Sequence, residues 1–190
     1  MPGGFVHMKY MIASDIHGSA VFSEKLAEAF YREKADRLVL LGDLLYHGPR
    51  NGIPEGYDPQ KTAEILNSLK DSVLCIHGNC DSEVDQLLID FPITQEFGVL
   101  EHGKRLIFLT HGHIFNPDSP PNIKRGDIVM YGHFHVPACI EKNGCIFMNP
   151  GSVSIPKENS WNGYMTVEGS DYIWKDIEGI IKLRWTDKEY

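Results

Sequence analysis

The sequence predicts one α/β domain over residues 1–190, with a mostly parallel sheet in its first half and further strands in its second half. Three observations support this fold class. Strand-like apolar runs alternate with helix-like segments up to residue 89, and short strand-like runs separated by turn signals follow from residue 94. The chain is also 42% apolar and 23% charged, values that are ordinary for a soluble globular protein of 190 residues.

The first half contains three strand–helix pairs. Each predicted strand is a short apolar run bounded by glycine or polar residues, which is typical of a buried strand. The first helix is indicated by Leu26, Ala29 and Phe30, which share one face at helical spacing. In chain order we expect strand 9–14, helix 20–34, strand 37–41, helix 59–69, strand 73–76 and helix 82–89. This order favours parallel strands that are joined by right-handed crossovers.

The second half contains strands with little helix between them. Hairpins are predicted at strands 94–101 and 105–110, which flank the turn HGK, and at strands 139–141 and 145–148, which flank KNG. A further strand is expected at 128–131. Strands 163–168, 172–176 and 180–184 are separated by the glycine turns GS and EG, which indicates a meander.

Composition argues against several classes of protein. A formal net charge of −8 disfavours a general nucleic-acid-binding face, which would have to be basic. The four cysteines form no C-x-x-C pair, which favours a reduced, cytoplasmic setting. We find no signal-peptide pattern and no apolar run near the roughly 20 residues of a membrane span. Because the first strand begins just after Met8, residues 1–7 are interpreted as an extension outside the fold.

Metal-capable side chains follow five successive predicted strands. The carboxyl ends of strands are where sites assemble in open α/β sheets, and glycine lets the backbone turn tightly there. Each motif alone has an ordinary explanation, since Asp15 could cap the next helix and His17 could be a polar loop residue. Together and in order, the five motifs indicate a metal centre. They are Asp15-Ile16-His17, Gly42-Asp43, Gly78-Asn79-Cys80-Asp81, His111-Gly112-His113 and Gly132-His133-Phe134-His135.

The ligand types predict two metal ions. Imidazole, carboxylate and amide groups without a thiolate pair suit Mn, Fe, Co, Ni or Zn, and do not suit a structural cysteine-type zinc site. Seven ligands are too many for one four-coordinate ion but suit two ions about 3.5–4 Å apart, with Asp43 as the shared carboxylate. Such a pair clamps a phosphate ester and generates a bridging hydroxide for in-line attack. The seven candidates are Asp15, His17, Asp43, Asn79, His111, His133 and His135.

The ordered pattern D-x-H, G-D, G-N-x-D, H-G-H, G-H-x-H resembles that of the calcineurin-like metallophosphoesterases. Stretches such as ASDIHGS, LGDLLYHGPRN, GNCDSEVDQ, LTHGH and NPGSVSIPK resemble the small bacterial YfcE-type phosphodiesterases, over about residues 9–157. The resemblance implies a four-layer α/β/β/α sandwich with a dinuclear site at its strand ends. It also implies metal-dependent hydrolysis of small phosphodiesters, commonly with Mn²⁺. The first metal would be held by Asp15, His17, Asp43 and His135, and the second by Asp43, Asn79, His111 and His133.

One position departs from much of this superfamily. Cys80 stands where a histidine usually follows the asparagine, and that histidine is usually assigned to stabilise the phosphoryl oxygens or to protonate the leaving group. A neutral thiol, whose ordinary pKa is about 8.5, suits neither task well. We therefore expect good leaving groups or a different acid. The catalytic candidates are Cys80 and His113, although His113 could equally be a residue packed under the site.

The loop YHGPRN after Asp43 supplies two candidates for substrate binding, His47 and Arg50. Arg50 could pair with a phosphate oxygen, or it could be an ordinary charged loop residue. Asp81 is interpreted as the N-cap of the helix predicted at 82–89. Residues 149–152, with the sequence NPGS, are interpreted as a tight turn that supports the site.

Three functions are compatible with these motifs. The main prediction is a cytoplasmic enzyme that acts on a small phosphodiester, without membrane or long nucleic-acid partners, and as a possible homo-oligomer. A phosphomonoesterase or nucleotidase is the alternative, because two metals serve monoesters equally well. The third is a non-catalytic protein-interaction scaffold like the retromer subunit that resembles this fold. The chain retains every ligand position, which argues against the scaffold.

Overall fold

The computed structural model describes residues 8–190, so the predicted N-terminal extension, residues 1–7, lies outside the described residues. Two α-helices and eleven strands are present in the described part of the chain, together with short 3-10 turns at Lys70–Ser72 and Asp85–Leu87. In chain order they are β1 Tyr10–Ala13, α1 Ala20–Glu33, β2 Arg37–Leu40, α2 Pro59–Asn67, β3 Val73–Cys75, β4 Phe97–His102, β5 Arg105–Thr110, β6 Ile128–Met130, β7 Ala138–Lys142, β8 Cys145–Asn149, β9 Gly163–Glu168, β10 Asp171–Asp176 and β11 Ile181–Thr186. None of these helices is long and apolar enough to span a membrane.

The first sheet has the strand order β11-β10-β9-β1-β2-β3. Strands β1, β2 and β3 are parallel, which confirms the prediction for the first half of the chain. Strand β9 pairs with β1 in the antiparallel direction and continues into β10 and β11, which is the predicted meander. The sheet therefore brings the two halves of the chain together at the β1–β9 pair.

The second sheet has the strand order β4-β5-β6-β8-β7. Its edges are the two predicted hairpins, β4–β5 and β7–β8. Its centre is parallel, since β6 pairs with both β5 and β8 in the parallel direction. Sequence patterns did not predict this parallel centre. It directs the carboxyl ends of β5, β6 and β8 to one edge of the sheet.

Helices α1 and α2 each begin after a residue whose side chain caps the helix N-terminus. The Ser19 hydroxyl accepts a hydrogen bond from the Phe22 N–H, and the Asp58 carboxylate accepts one from the Lys61 N–H ahead of Pro59. Helix α1 ends at Lys34, which adopts the left-handed conformation with φ 53°. Both helices bury their apolar faces against the first sheet, where Leu26 and Leu66 are fully buried.

Apolar side chains fill three layers of contact. One cluster joins the helices to the first sheet, and a second lies between the two sheets, around Trp174, Met130 and Met165. The third covers the outer face of the second sheet, around Phe147 and Tyr131. Ile123, from the irregular segment between β5 and β6, packs on this third cluster. The predicted sandwich of two sheets is confirmed, and within residues 8–190 an irregular segment takes the place of helices in its fourth layer.

The helix predicted at 82–89 is wrong, because the structure has only the 3-10 turn Asp85–Leu87 there. The Asp85 carboxylate accepts hydrogen bonds from both the N–H and the hydroxyl of Ser82, at 2.8 and 2.9 Å. Such local bonds compete with a helical backbone. The segment also has little apolar surface to bury, since Val84 and Leu87 are 69% and 84% exposed.

Candidate metal centre

The structure brings all five predicted motifs to one edge of the sandwich. Each motif follows the carboxyl end of a strand, namely β1, β2, β3, β5 and β6. The carboxylates and imidazoles of Asp15, His17, Asp43, His111 and His135 are buried. His133 is half-buried and Asn79 is exposed, so these two face the solvent side of the site.

An unusual backbone conformation accompanies most of the candidate ligands. A positive φ is uncommon in residues other than glycine and costs of order 1–3 kcal/mol each when the surroundings enforce it. Such strain clusters at functional sites because it directs side chains that relaxed backbone would not direct. Five of the seven candidates have it: Asp15 at 58°, His17 at 52°, Asp43 at 58°, His133 at 66° and His135 at 61°.

Neighbouring segments hold the strained turn after β1 in place. The N–H groups of Asp15 and His17 donate to the carbonyls of Gly42 and Asp43, at 3.1 and 2.9 Å. From the other side, the Ser152 hydroxyl donates to the Asp15 carbonyl at 2.7 Å. Residues 149–152 therefore do support the site, as their sequence predicts.

Two glycines give the site its close backbone approach. A methyl group on Gly78 would collide with Oδ1 of Asp43, and one on Gly132 would collide with the Ser14 hydroxyl and the Asp15 carboxylate. These positions lie directly against the candidate ligands. Any larger residue at either position must displace a carboxylate of the site.

Three buried histidines are oriented by backbone carbonyls. The Nδ1 atoms of His17, His111 and His135 donate hydrogen bonds to the carbonyls of Tyr46, Leu41 and Ile155, at 2.8, 2.7 and 2.7 Å. A neutral imidazole that donates through Nδ1 presents an unprotonated Nε2 on its other side. This arrangement fixes the tautomer that binds a metal through Nε2.

The first group of ligand atoms fits a cation. Nε2 of His17 lies 3.2 Å from Nε2 of His135, so two lone pairs face each other when both rings are in the neutral tautomer that their Nδ1 hydrogen bonds favour. Oδ1 of Asp15 is buried without a hydrogen-bond partner in the described chain and lies 3.2 Å from Nε2 of His135. One metal ion among these three atoms would satisfy all of them, which is how the donors of a metal site are arranged.

A second group of ligand atoms lies on the other side of Asp43. Nε2 of His111 is 3.1 Å from Oδ1 of Asn79 and 3.4 Å from Oδ2 of Asp43. The same Oδ2 is 3.7 Å from Nε2 of His17 in the first group. The ring of His133 adjoins this second group, 5.2 Å from the ring of His111 between centroids. Asp43 therefore stands between the two groups.

The electrostatics of the site favour cations. Burial lowers the pKa of His111, but its hydrogen bond with Asp43 and the nearby Asp15 charge outweigh burial and raise that pKa to about 9, so in the metal-free protein Nε2 of His111 carries a proton that a bound cation would displace. His133, which has no such bond, has its pKa lowered to about 4 by burial and by the neighbouring His111. The pKa of Asp15 is well below its usual range in spite of burial, because His135 and His17 are close. Carboxylates that stay ionised when buried provide the negative charge that a metal needs.

Asp81 has a different role from the predicted helix cap. Its buried carboxylate accepts hydrogen bonds from the backbone N–H groups of Asp43, Leu44 and Gly78, at 2.9, 2.7 and 2.8 Å. These bonds tie the turn after β2 to the turn after β3. The predicted cap is wrong because no helix follows Asp81. Its carboxylate therefore accepts hydrogen bonds from the turns that carry Asp43 and Asn79.

Cys80 lies beside the ligands and touches Asp43 through its backbone. The Cys80 N–H donates to Oδ1 of Asp43 at 2.8 Å, and its Sγ accepts a hydrogen bond from Nδ2 of Asn79 at 3.3 Å. Burial and the charge of Asp43 raise the pKa of the thiol to about 12. The thiol is therefore a neutral group at the edge of the site.

The structure separates the remaining candidates. Arg50 lines a cavity of about 560 Å³ that adjoins Asp43, Asn79, His133 and His135. His47 does not line this cavity, because its ring packs between Tyr46 and Tyr57, with centroids at 4.8 and 5.3 Å. His113 is exposed beside the ligands, with its ring centroid 5.4 Å from that of His111.

Lys157 lines the same cavity and was not among the predicted site residues. Its motif, NPGSVSIPK, carries it more than twenty residues beyond the last candidate ligand, His135. Only the folded chain places it there, through a hydrogen bond of 3.1 Å from the Lys157 N–H to the His135 carbonyl.

This two-sheet fold with its cluster of histidines and carboxylates defines a metallophosphoesterase architecture. The sequence profile of the calcineurin-like phosphoesterase superfamily domain matches residues 8–171, and the chain belongs to this superfamily. The resemblance found in the ordered motifs is thereby confirmed.

Particular relatives are similar over most of the chain. Phosphodiesterase YfcE of Escherichia coli strain K12 is 50% identical over 150 residues, which are 79% of this chain and 82% of that protein. The solved structure of the E. coli phosphoesterase Yfce has a TM-score of 0.91 at 42% identity and covers 94% of this chain and 99% of its own. Vps29 from Cryptosporidium parvum shares the fold, with a TM-score of 0.64 at 19% identity over 95% of this chain and 99% of its own.

Proposed function

We propose that this chain is a metal-dependent phosphodiesterase that hydrolyses small phosphodiesters at a dinuclear centre. The observation that carries the proposal is the position of Asp43, whose Oδ2 lies 3.7 Å from Nε2 of His17 and 3.4 Å from Nε2 of His111. One carboxylate can thus serve two ions. The likeness to Phosphodiesterase YfcE supports the diester as substrate.

The proposed ligands form two sets that share Asp43. Asp15, His17 and His135 complete the first set, and Asn79, His111 and His133 complete the second. When bound, two divalent ions supply an activated water nucleophile and neutralise charge that develops on the phosphoryl oxygens. We propose Mn²⁺ as the native ion; Zn²⁺ and divalent Fe, Co or Ni are the alternatives that these nitrogen and oxygen ligands also suit.

The chain's own groups orient the reaction. The carbonyls of Tyr46, Leu41 and Ile155 hold the imidazoles with Nε2 directed inward, and Asp81 holds the turn that carries Asp43. Arg50 would bind a phosphoryl oxygen from the wall of the cavity. His113 is the proposed acid for the leaving group, because its exposed imidazole lies beside the ligands, with its ring centroid 5.4 Å from that of His111.

The cavity and the charge of the chain limit the substrate. A volume of about 560 Å³ suits a small molecule, and a net charge of −8 disfavours long nucleic acids. All four cysteines are free, which supports a cytoplasmic setting. Homo-oligomerisation stays a prediction.

The test is hydrolysis of an aryl phosphodiester and an aryl phosphomonoester with the same nitrophenolate leaving group. Metal-free protein is reconstituted with Mn²⁺ or Zn²⁺, and turnover is followed by the release of nitrophenolate. We expect diester turnover that depends on metal and is lost in Asp43→Asn. Faster turnover of the monoester would favour the phosphomonoesterase, and turnover that Asp43→Asn retains would contradict the dinuclear centre.

The scaffold alternative rests on the fold alone, which the Vps29 structures share at 19–20% identity. A scaffold needs no metal, whereas this site holds two ionised carboxylates and close-facing imidazole nitrogens. Metal-loaded protein without turnover on any phosphate ester would favour the scaffold over the enzyme.

A further inference from the structure

The cavity beside the candidate metal centre has a cationic wall. Its exposed charged residues are Arg50 and Lys157, and neither forms an ion pair within residues 8–190. The carboxylates of Asp43 and Asp81 also adjoin the cavity, but they are buried and accept hydrogen bonds from backbone N–H groups. This local positive charge is found in a chain whose formal net charge is −8.

The backbone of Lys157 is fixed by the site itself. Its N–H donates to the His135 carbonyl at 3.1 Å, while the Ile155 carbonyl accepts from Nδ1 of the same histidine at 2.7 Å. On the other side, the hydroxyl and the N–H of Ser160 donate to the Lys157 carbonyl at 2.6 and 3.0 Å. The segment thus straddles a candidate ligand, and the fixed backbone of Lys157 starts its side chain at the wall of the cavity.

Lys157 adds a cation to the cavity beyond those that would contact a simple diester. A phosphodiester carries a single negative charge, which the proposed metal ions and Arg50 would contact. Lys157 lines the same cavity without an ion pair in residues 8–190, so a second anionic group on the substrate would give it a partner. A lysine ammonium is a compact charge with three donors, and it binds a carboxylate or phosphate oxygen strongly when the pair is charge-assisted.

We propose that Lys157 binds a second anionic group of the substrate, so that the natural substrate is a small phosphodiester that also carries a carboxylate or a phosphate. This inference rests on the proposed phosphodiesterase function and narrows its substrate class. It assigns Lys157 to specificity, whereas the seven candidate ligands serve the reaction.

The test compares three diesters that share a nitrophenolate leaving group: ethyl nitrophenyl phosphate, carboxyethyl nitrophenyl phosphate and phosphoethyl nitrophenyl phosphate. With metal-loaded wild-type protein, we expect KM for at least one anionic diester to be about tenfold lower than for the ethyl diester. The two anionic compounds distinguish a carboxylate from a phosphate. The KM ratio is the KM of the ethyl diester divided by that of the preferred anionic diester. In Lys157→Gln, this ratio should fall to within about twofold of one.

Lys124→Gln is the matched control, because Lys124 is also an exposed lysine beside a cavity but lies at the start of the segment that enters β6, away from its carboxyl end. This variant should retain the wild-type KM ratio. Equal KM values in the wild type, or a ratio that Lys157→Gln leaves unchanged, would overturn the inference while turnover of the ethyl diester upholds the enzyme. No turnover with any of the three compounds would overturn the proposed function, and the inference with it.

Discussion

The two ends of strand β5 differ in how their charged and polar side chains are paired. His111 follows the carboxyl end, among buried carboxylates, imidazoles whose Nε2 atoms face one another, and residues with positive φ. Arg105 begins the same strand at the other end. There its guanidinium binds the Asp187 carboxylate through two bonds, at 2.5 and 2.8 Å, and also donates to the Gly126 carbonyl.

This contrast indicates where function and stability reside. At the end with Arg105, the guanidinium is paired with the carboxylates of Asp187 and Glu189, so its charge is neutralised within the chain. The end with His111 carries strained backbone, and it gathers buried carboxylates and facing imidazole nitrogens where the proposed metal ions would bind. Substitutions at the first end should therefore change stability and spare turnover, and substitutions at the second should do the reverse.

The largest expected effect is that of Asp43→Asn. We expect the variant to lose about a thousandfold in kcat/KM, because several kcal/mol of transition-state stabilisation would depend on Asp43 as the proposed ligand of both ions. The free energy of unfolding of the metal-free protein should stay within about 1 kcal/mol of the wild type. The asparagine amide retains an oxygen for the Cys80 N–H and removes a negative charge beside Asp15.

Turnover, metal content per chain and urea unfolding check this prediction together. Asp118→Asn is the control, since the Asp118 side chain is 92% exposed and should affect none of the three. A variant that binds two ions per chain and turns over like the wild type would remove Asp43 from the site. A metal-free variant that is unfolded would show that the two ends are not separable.

The reverse substitution is Asp187→Asn. We expect the free energy of unfolding to fall by about 2 kcal/mol, because a buried, bidentate bond to a charged partner is weakened. Turnover per folded molecule should be that of the wild type. Urea unfolding measures the first, and aryl diester hydrolysis at low denaturant measures the second.

Asp171→Asn is its matched control, because the one side-chain hydrogen bond of the Asp171 carboxylate in residues 8–190 comes from the Thr186 hydroxyl and is exposed to solvent. Its free energy of unfolding should change by no more than about 0.5 kcal/mol. If Asp187→Asn loses diester turnover while it stays folded, the end with Arg105 contributes to function and the contrast fails.

A pH series sharpens the same comparison. Burial raises the pKa of Asp187, but Arg105 and the Glu189 N–H outweigh burial and hold that pKa below its usual value. A carboxyl whose pKa is lower in the folded chain than in the unfolded chain stabilises the protein above the unfolded value, about pH 4. That stabilisation is lost as pH falls through the folded value.

The difference in unfolding free energy between wild type and Asp187→Asn should therefore be largest near neutral pH and should close below about pH 4. Unfolding curves of both proteins at matched ionic strength measure it. A difference that is the same at neutral and acidic pH would mean that the ion pair is not its source.

Local patterns predicted which residues lie together at the candidate site better than they predicted the pairing of the strands. Asp15 and His17 are two residues apart on a strand end, so the sequence itself records their proximity. The parallel pairing of β5, β6 and β8 joins segments far apart in the chain, and no short-range signal encodes it. Lys157 was missed for the same reason, because its place depends on a hydrogen bond to His135.

The wrong helix at 82–89 and the misassigned Asp81 have a common cause. Both depend on whether a short segment buries an apolar face, and spacing alone does not report burial. In the folded chain Leu87 is exposed, whereas Asp81 is buried under the turns that it holds. The N-cap interpretation makes the Asp81 carboxylate a backbone acceptor, but two of its three partners, the N–H groups of Asp43 and Leu44, lie at the end of strand β2.

The smallest expected effect on turnover is that of replacing Cys80. This residue lies beside the candidate ligands, but it contacts Asp43 through its backbone N–H. Because the Cys80 N–H and not the thiol holds Oδ1 of Asp43, Cys80→Ala retains that hydrogen bond. A neutral thiol is also a weak donor toward a phosphoryl oxygen. We therefore expect Cys80→Ala to change kcat/KM on an aryl diester by less than about tenfold, as measured by nitrophenolate release.

A second variant, Cys80→His, tests whether an acid at this position raises turnover. Cys80→His should raise turnover on diesters with poor leaving groups, since an imidazole supplies the proton that alkoxides need, provided that metal content is unchanged. Gly48 lies close to the Cys80 side chain, since a methyl group on Gly48 would come within 3.0 Å of Sγ of Cys80. The new imidazole therefore has to point away from Gly48. Metal content near two ions per chain with unchanged or lower alkyl-diester turnover would count against a gain from an acid at position 80. A loss of more than about a hundredfold in kcat/KM in Cys80→Ala would assign the thiol a direct catalytic role.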